Sequence, residues 1–484
     1  MSTPIETMKS NRESHVFDTF SLETNADQRL SLQKSVIEYA EGFLNSLENR
    51  KAYEYNSYEK EDQDSFFDID EQNHPIEDIL PFISERVDKP GLNPASGGHL
   101  GYIPGGGIYE SALGDYLAAV SNRYAGVFYA SPGAVRMENA LIDWAGKLIG
   151  YTGRFGGNLT SGGSIANLIA ISTAREAKKL KGKDLESTVI YTSQQTHHSL
   201  QKAIKLCGLS ECILRIIDLD EDYRIIPEKL NAQVLEDQKQ GLQPYLIIAN
   251  AGSTDVGAVD PLNTIASIAE EHDLWFHVDA AYGGFFQLTA QGKEVMSGIE
   301  KADSVILDPH KGLFLPYGSG IVLIKNIEHL AAANSYEANY MQDTKMHQDE
   351  MSPAELSPEL SKHFRGMRMW LPLKLHGIGP FKACLEEKME LAQYFYTKIK
   401  AMGFEVGPAP VLSTVIFRFL PKDKDANEFN AAIVKAIHQD GRIFISSTTL
   451  NGQFYMRVAV LSFRTHKKEI DLLLEIIEKQ LIEK

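Results

Sequence analysis

Cysteine is scarce. Three residues in 484 cannot build a disulfide framework, and Cys207 and Cys212 lack the second pair that a structural zinc site needs. The expected setting is a reducing cytoplasm. Basic residues are outnumbered, 48 Lys and Arg against 65 Asp and Glu, for a net charge of −17. Such an excess of carboxylates repels a phosphate backbone unless a basic patch exists. The densest candidate, Lys178, Lys179, Lys181 and Lys183, runs straight into Asp184 and Glu186 and reads as the solvated end of a helix. No nucleic-acid partner is expected. Long apolar runs are missing too. The opening MSTPIETMKSNRESHVFDTF holds no stretch of signal-peptide length, and no window approaches 18 charge-free apolar residues, so neither that export route nor a membrane partner is expected. There is no GxGxxG, no Walker loop and no HxxxH, which counts against a dinucleotide, a nucleoside triphosphate and a metal.

What remains is ordinary globular composition, 43% hydrophobic and 23% charged. The length suits roughly three domains, or one large α/β domain with appendages. Residues 1 to about 100 are polar, with helical patterning near Leu30 to Leu47 and a weakly patterned stretch from Tyr53 to Asn73. A passage rich in Gly and Pro, GLNPASGGHLGYIPGGG (Gly91 to Gly107), then breaks any regular period and reads as a site loop. From about 140 to 325, short β-rich runs alternate with helical periods: Thr188 to Thr192, Cys212 to Ile217, Tyr245 to Asn250, Trp275 to Val278, Ser304 to Leu307 and Gly320 to Ile324. Strands buried on both faces by crossover helices look like this, and predict a mostly parallel sheet with helices on both faces. A smaller α+β region follows, with strands near Val411 to Arg418 and Phe454 to Ser462 and a closing amphipathic helix from Glu469 to Ile482.

In open α/β sheets ligands gather beyond the carboxyl ends of the strands, so the residues just after each run are where chemistry is expected. Four segments stand out. NLTSGGSIAN (Asn158 to Asn167) feeds small residues into a helix start, where backbone N–H groups and the helix dipole favour an anion; the competing reading is Ser164 as a simple N-cap. WFHVDAAYGGF (Trp275 to Phe285) ends a strand in Asp279 with only small residues beside it, so a flat group has room over Ala281; a strand-end Asp is also a common turn residue. SVILDPHKGLFLPYGSG (Ser304 to Gly320) places Lys311 after a buried run. A lysine among apolar neighbours loses its charge and attacks carbonyl groups, whereas a snorkelling surface lysine is the commoner fate. TVIYTSQQTHHSL (Thr188 to Leu200) sets His197 after a strand, as a stacking ring or a structural histidine. Together they meet the needs of one cofactor, pyridoxal phosphate: a lysine for its Schiff base, a carboxylate for its ring nitrogen, an anion cradle, and packing on both ring faces.

From about His99 to Asp471 the sequence resembles the group II pyridoxal-phosphate-dependent amino-acid decarboxylases, a family acting on aromatic amino acids, glutamate and cysteine sulfinate among others. HVDAAYGG followed by DPHKG, and preceded by TSGGSxAN and Q-x-H-x-S, carries the resemblance. It implies the α/β fold type I of pyridoxal-phosphate-dependent transferases. The implied division is residues 1–107 as an N-terminal segment packing on a dimer partner, 108–374 as the large cofactor domain and 375–484 as the small C-terminal domain. It makes Lys311 the Schiff-base lysine, Asp279 the pyridinium partner, and His197 and Ala281 the packing on the two ring faces. Gly162, Gly163, Ser164 and His310 would hold the phosphate, and Thr254 would lie beside the ring. Tyr102, Arg365 and Arg457 would meet the substrate. The implied reaction is decarboxylation of an L-amino acid to an amine by a homodimer. One departure bears on the product. The family's mobile loop before FRxxxxW, here Phe364 to Trp370, carries a proton-donating tyrosine, but MHQDEMSPAELSPELSKH (Met346 to His363) has none. Tyr336 and Tyr340 lie upstream, and His347 or His363 are substitutes. An aldehyde-forming decarboxylase-oxidase and an aminotransferase therefore stand as alternatives on the same scaffold. Because IPGGG (Ile103 to Gly107) replaces bulky contacts with glycine, a polar or acidic substrate held by backbone and Arg457 is expected ahead of an aromatic one.

Overall fold

Runs of β-branched and aromatic residues, buried on both faces, build the centre of the protein. The computed structural model describes residues 22–55, 65–69, 71–103, 105–335 and 350–483, so Tyr336, Tyr340 and His347 lie outside the described residues. Seven strands form the main sheet: β1 Gly156–Thr160, β2 Thr188–Thr192, β3 Ile213–Ile216, β4 Gln243–Asn250, β5 Trp275–Asp279, β6 Ser304–Leu307 and β7 Gly320–Ile324. Their order across the sheet is β1-β7-β6-β5-β4-β2-β3. Strand β7 runs antiparallel to β1 and β6, while every other pairing is parallel, so six strands end on the same edge. The mostly parallel α/β sheet expected from the sequence is thus present with one reversed strand.

Alternation along each strand sends side chains to two cores. Ile190, Leu246, Ile248, Trp275 and Ile306 face helix α1 (Gly163–Ala177) and helix α2 (His198–Leu206). Val189, Ile247, Phe276, Val278 and Val305 face the opposite layer, which includes helices Pro132–Leu148, Pro227–Lys239 and Leu262–Glu271. The C-terminal region is a four-stranded antiparallel sheet of β8 Glu405–Val406, β9 Thr414–Arg418, β10 Ser446–Leu450 and β11 Gln453–Ala459, in the order β8-β9-β11-β10. Helices Gly379–Ala401, Ala426–Asp440 and Lys467–Glu483 supply the rest of its core.

The chain divides into two compact units, one drawn from residues 1–50 and 56–91 and the other from residues 51–55 and 92–484. The first contains helix Ala26–Ser46, close to the helical pattern read at Leu30 to Leu47, and begins in a capping box between Asn25 and Gln28. Its Leu30, Val36 and Ile37 are exposed. No helix among the described residues is long and apolar enough to cross a membrane.

Candidate active site

The shared edge of the six aligned strands carries the site, because each strand there gives way to a polar or glycine-rich turn. Beyond β1 come Ser161 and Gly162, beyond β2 His197, beyond β4 Gly252 and Thr254, beyond β5 Ala281 and Tyr282, and beyond β6 Asp308, His310 and Lys311. With Gly163, Ser164, Asn167, Ser199, Asn250 and Asp279 they line one cavity of ≈ 270 Å³. Every residue named from the sequence for the cofactor is among them.

Helix α1 begins at Gly163, and its N-cap is Gly162, not Ser164; no side-chain cap bond is made. This overturns the reading of Ser164 as a plain N-cap. Gly162 sits at φ +151°, a region that glycine enters freely. The first bonds of α1 run from Ile165 and Ala166 to the Gly162 carbonyl, so the N–H groups of Gly163 and Ser164 precede the helical ladder and are free for an acceptor. A side chain at 163 would close the cradle, since its Cβ would stand 3.0 Å from Asp308 Oδ2.

Lys311 lies in the short helix Pro309–Gly312. The apolar surroundings expected for it are absent. Its Nζ stands 3.0 Å from Asp308 Oδ2, and the side chain is 23% exposed. Asp308 Oδ1 is buried without a partner. His310 Nδ1 is bonded to the Ser319 carbonyl, which can only accept, so Nδ1 carries the proton. Burial lowers the His310 pKa, and its Nε2 lies 3.7 Å from Asp308 Oδ2.

Asp279 closes β5 with its carboxylate in the cavity wall. Oδ2 accepts from Asn167 Nδ2 at 3.1 Å, and Oδ1 accepts from the Ala281 N–H at 3.1 Å. His197 caps α2, with Nδ1 2.8 Å from Ser199 Oγ and accepting the Ser199 N–H at 3.3 Å. Burial lowers its pKa, against the raising effect of Asp279.

The three residues named for the substrate are elsewhere. Arg365 is paired with Glu359 through bonds of 3.1 and 3.2 Å. Arg457 is buried in β11, donating to the carbonyls of Asp255 and Tyr102 and to Ser446 Oγ, while Nη2 has no hydrogen-bond partner. Tyr102 is exposed, with its backbone at φ 52°. His363 is exposed and outside the cavity wall. Gly105 and Gly106 of the IPGGG loop do not leave open room either, whereas a Cβ at Gly107 would meet nothing within 4 Å. A Cβ at Gly105 would stand 2.0 Å from the His310 carbonyl oxygen, so glycine there permits close backbone approach beside the site.

Sequence reading missed Asn167, Ser199 and Asp308 as site residues. The clue for Asn167 was its spacing, four residues after Gly163 and so on the same face of α1.

The residues present suit pyridoxal phosphate: an amine, a carboxylate, and an anion cradle at a helix start that a side chain would block. The class is that of fold type I pyridoxal-phosphate enzymes. A crystal structure of Oryza sativa TDC with PLP and tryptamine superposes with a TM-score of 0.90, covering 96% of this chain and 99% of that one at 23% identity. Residues 64–420 match the model of the pyridoxal-dependent decarboxylase conserved domain, and the chain belongs to that family. An aromatic-L-amino-acid decarboxylase of Bacillus atrophaeus is 33% identical over 408 residues, 83% of this chain and 85% of that protein. Tryptophan decarboxylase 2 of Oryza sativa subsp. japonica is 28% identical over 83% of this chain and 84% of that protein. The protein is a pyridoxal-phosphate-dependent carboxy-lyase that decarboxylates an amino acid.

Proposed function

We propose that Lys311 holds the cofactor through its amine, that Asp279 faces the ring nitrogen, and that Gly162, Gly163, Ser164 and His310 take the phosphate. His197 and Ala281 border the ring, with Thr254 beside it. The observation that carries this reading is the meeting of Lys311, Asp279 and the free N–H groups of α1 at one cavity. When bound, pyridoxal phosphate supplies the electron sink that makes loss of carbon dioxide from an amino acid feasible. The chain's own groups do the rest. Asp279 contributes a negative charge that favours a protonated ring nitrogen. Asp308 stands to take the proton that the Lys311 ammonium sheds before its amine reacts. His310 spends its Nδ1 proton on the Ser319 carbonyl, so its hydrogen bond to a phosphate takes a second proton on Nε2, which a nearby anion favours.

For the substrate, we infer an aromatic L-amino acid, which reverses the preference for a polar or acidic one. Two observations support this: the relatives named above act on aromatic amino acids, and Lys311 is the only Lys or Arg among the described residues lining the cavity. Arg457, on which the polar preference rested, is committed to backbone carbonyls. We further infer a cytoplasmic homodimer with the site at the subunit interface, divided at 1–107, 108–374 and 375–484. Supporting this are three free cysteines and exposed apolar residues on helices Ala26–Ser46 (Leu30, Val36, Ile37) and Tyr109–Ser121 (Leu113, Leu117, Val120).

Borohydride reduction of the reconstituted protein followed by peptide mapping tests the anchor, with the pyridoxyl mass expected on Lys311 alone. A panel of amino acids, scored for carbon dioxide and for amine, tests the reaction. Stoichiometric peroxide and aldehyde would favour the oxidative alternative, which the lack of tyrosine from Met346 to His363 keeps in view.

A further inference from the structure

The strand WFHVD puts Trp275, His277 and Asp279 on one face of β5, because alternate residues share a face. Only Asp279 reaches the cavity. The other two lie behind it, in a chain of bonds whose direction can be worked out from the chemistry of its members. A carboxylate only accepts, so Asn167 turns its NH2 to Asp279 (3.1 Å) and hence its carbonyl oxygen to His277 Nε2 (2.9 Å). His277 Nε2 must then carry the proton. His277 is fully buried, and burial pushes its pKa down to about 4, so it is neutral and Nδ1 accepts. The partner of Nδ1 is Ser304 Oγ at 2.8 Å, paired with His277 in the register of β5 and β6. Ser304 Oγ in turn accepts from Trp275 Nε1 at 2.9 Å, and an indole only donates. Every member donates forward: Trp275 to Ser304, Ser304 to His277, His277 to Asn167, and Asn167 to Asp279. The Asn167 amide also donates to Ser199 Oγ at 3.1 Å, and Ser199 donates to His197 Nδ1, which leaves the His197 proton on Nε2. One amide therefore serves both the carboxylate and the imidazole in the cavity wall.

We propose that Asn167 and His277 are positioning residues for the reaction: the one-way chain Trp275–Ser304–His277–Asn167 holds the Asp279 carboxylate toward the cofactor's ring nitrogen and, through Ser199, sets the His197 tautomer. The inference rests on the assignment of Asp279 to that nitrogen. His277 does not line the cavity, and Asn167 meets it beside Asp279. Replacing His277 by an apolar ring strands the Asn167 carbonyl and frees the amide to turn its oxygen toward Asp279, which weakens the hold on the carboxylate.

The test uses holoenzyme reconstituted with pyridoxal phosphate labelled with nitrogen-15 in the ring. Wild type is expected to show a protonated ring nitrogen across its stable pH range. Asn167→Leu and His277→Phe are expected to show an unprotonated fraction that grows with pH, and cofactor affinity about tenfold weaker by equilibrium titration. His277→Gln, which keeps an N–H donor, is expected to recover most of both. In an Asp279→Ala background, Asn167→Leu should add nothing to the nitrogen signal. If the apolar variants do not fold, Asn167→Ser removes the same donor without apolar bulk and reads the same result. A wild-type nitrogen signal in a folded variant lacking the donor overturns the proposal, as does an undiminished effect of Asn167→Leu in the Asp279→Ala background. If borohydride fails to trap the cofactor on Lys311 in wild type, the underlying site assignment falls. Trapping there with an unchanged nitrogen signal in the variants removes only the positioning role.

Discussion

Two regions of the large unit each set a lysine against a carboxylate, and only one is built to react. At the carboxyl edge of the sheet, Lys311 faces Asp308 at 3.0 Å beside a cavity, and one oxygen of that carboxylate has no partner. Alongside β1, Lys362 faces Glu138 at 2.7 Å, with its side chain fully buried. There both carboxylate oxygens are met, Oε2 by the Lys362 ion pair alone. Lys362 also donates to Asn158 Oδ1 at 3.1 Å, Asn158 donates to the Pro353 carbonyl, and Glu138 accepts the Gly366 N–H at 3.0 Å. Charge does not separate the two lysines; burial does, one being fully buried and the other 23% exposed, and so does the share of bonding left open. A pair with both carboxylate oxygens met ties the segment 353–366 to β1 and helix Pro132–Leu148, whereas one with an unmet oxygen beside a cavity can exchange a partner for a ligand.

The largest expected effect breaks the open pair. Lys311→Ala should lower turnover by about a thousandfold or more and abolish the borohydride-stable adduct while leaving the fold intact. A variant that keeps turnover within tenfold of wild type would remove Lys311 from the chemistry. Next comes Asp279→Ala, expected to cost on the order of a hundred- to a thousandfold in kcat with some cofactor still bound, because the ring nitrogen loses its charged neighbour but the phosphate cradle survives. Wild-type turnover would refute that assignment.

The closed pair should respond in stability instead. Lys362→Met leaves Glu138 buried without its cation and is expected to cost about 3–5 kcal/mol in denaturant unfolding, with turnover per folded molecule near wild type. Replacing both partners, Lys362→Met with Glu138→Leu, should recover much of the loss. A large fall in turnover without loss of stability would mean that the two lysines are less different than their bonding indicates.

How far this contrast could be read beforehand depended on what each residue needs from distant chain. Strands β2, β6 and β7 coincide with their sequence runs because TVIYT, SVIL and GIVLI are buried on both faces and carry the β signal alone. Strand β1, GGNLT, was not read as one. Its glycines carry no such signal, and Gly157 is there because a Cβ would stand 2.2 Å from the Val322 carbonyl oxygen of β7. Strand β10, SSTTL, was hidden by its polarity and exists through pairing with β11. In the site, Lys311, Asp279 and His197 were legible because each follows a strand at the ligand edge. Asn167 was not, since an Asn inside a helix is unremarkable until α1 is laid against β5 and its amide meets Asp279 and His277. Nor was the saturation of Lys362, whose partners lie more than 200 positions away.

The smallest expected effect concerns a third condition, burial with no partner at all. His99 is fully buried in the glycine-rich loop with neither ring nitrogen hydrogen-bonded, its ring 5.8 Å from that of Phe444. Burial pushes its pKa down to about 4, so the fold accepts only the neutral ring. The ordinary value is near 6.5, so the unfolded chain binds a proton at a pH where the folded chain does not. This contribution to stability is complete above about pH 6.5 and is lost as the pH falls toward 4, on the order of 3 kcal/mol in all. His277, held down to a similar value, adds a loss of the same sign. His99→Phe should change stability at pH 7.5 by no more than about 1 kcal/mol, because two unsatisfied nitrogens are traded for a slightly larger ring. Between pH 6.5 and 4 it should make the decline shallower, with His277, His197, His310 and His438, whose pKa values burial also lowers, carrying losses of the same sign. Denaturant midpoints measured across that range decide the matter: a decline as steep in His99→Phe as in wild type would mean that His99 finds a partner or water in solution and belongs with the saturated groups.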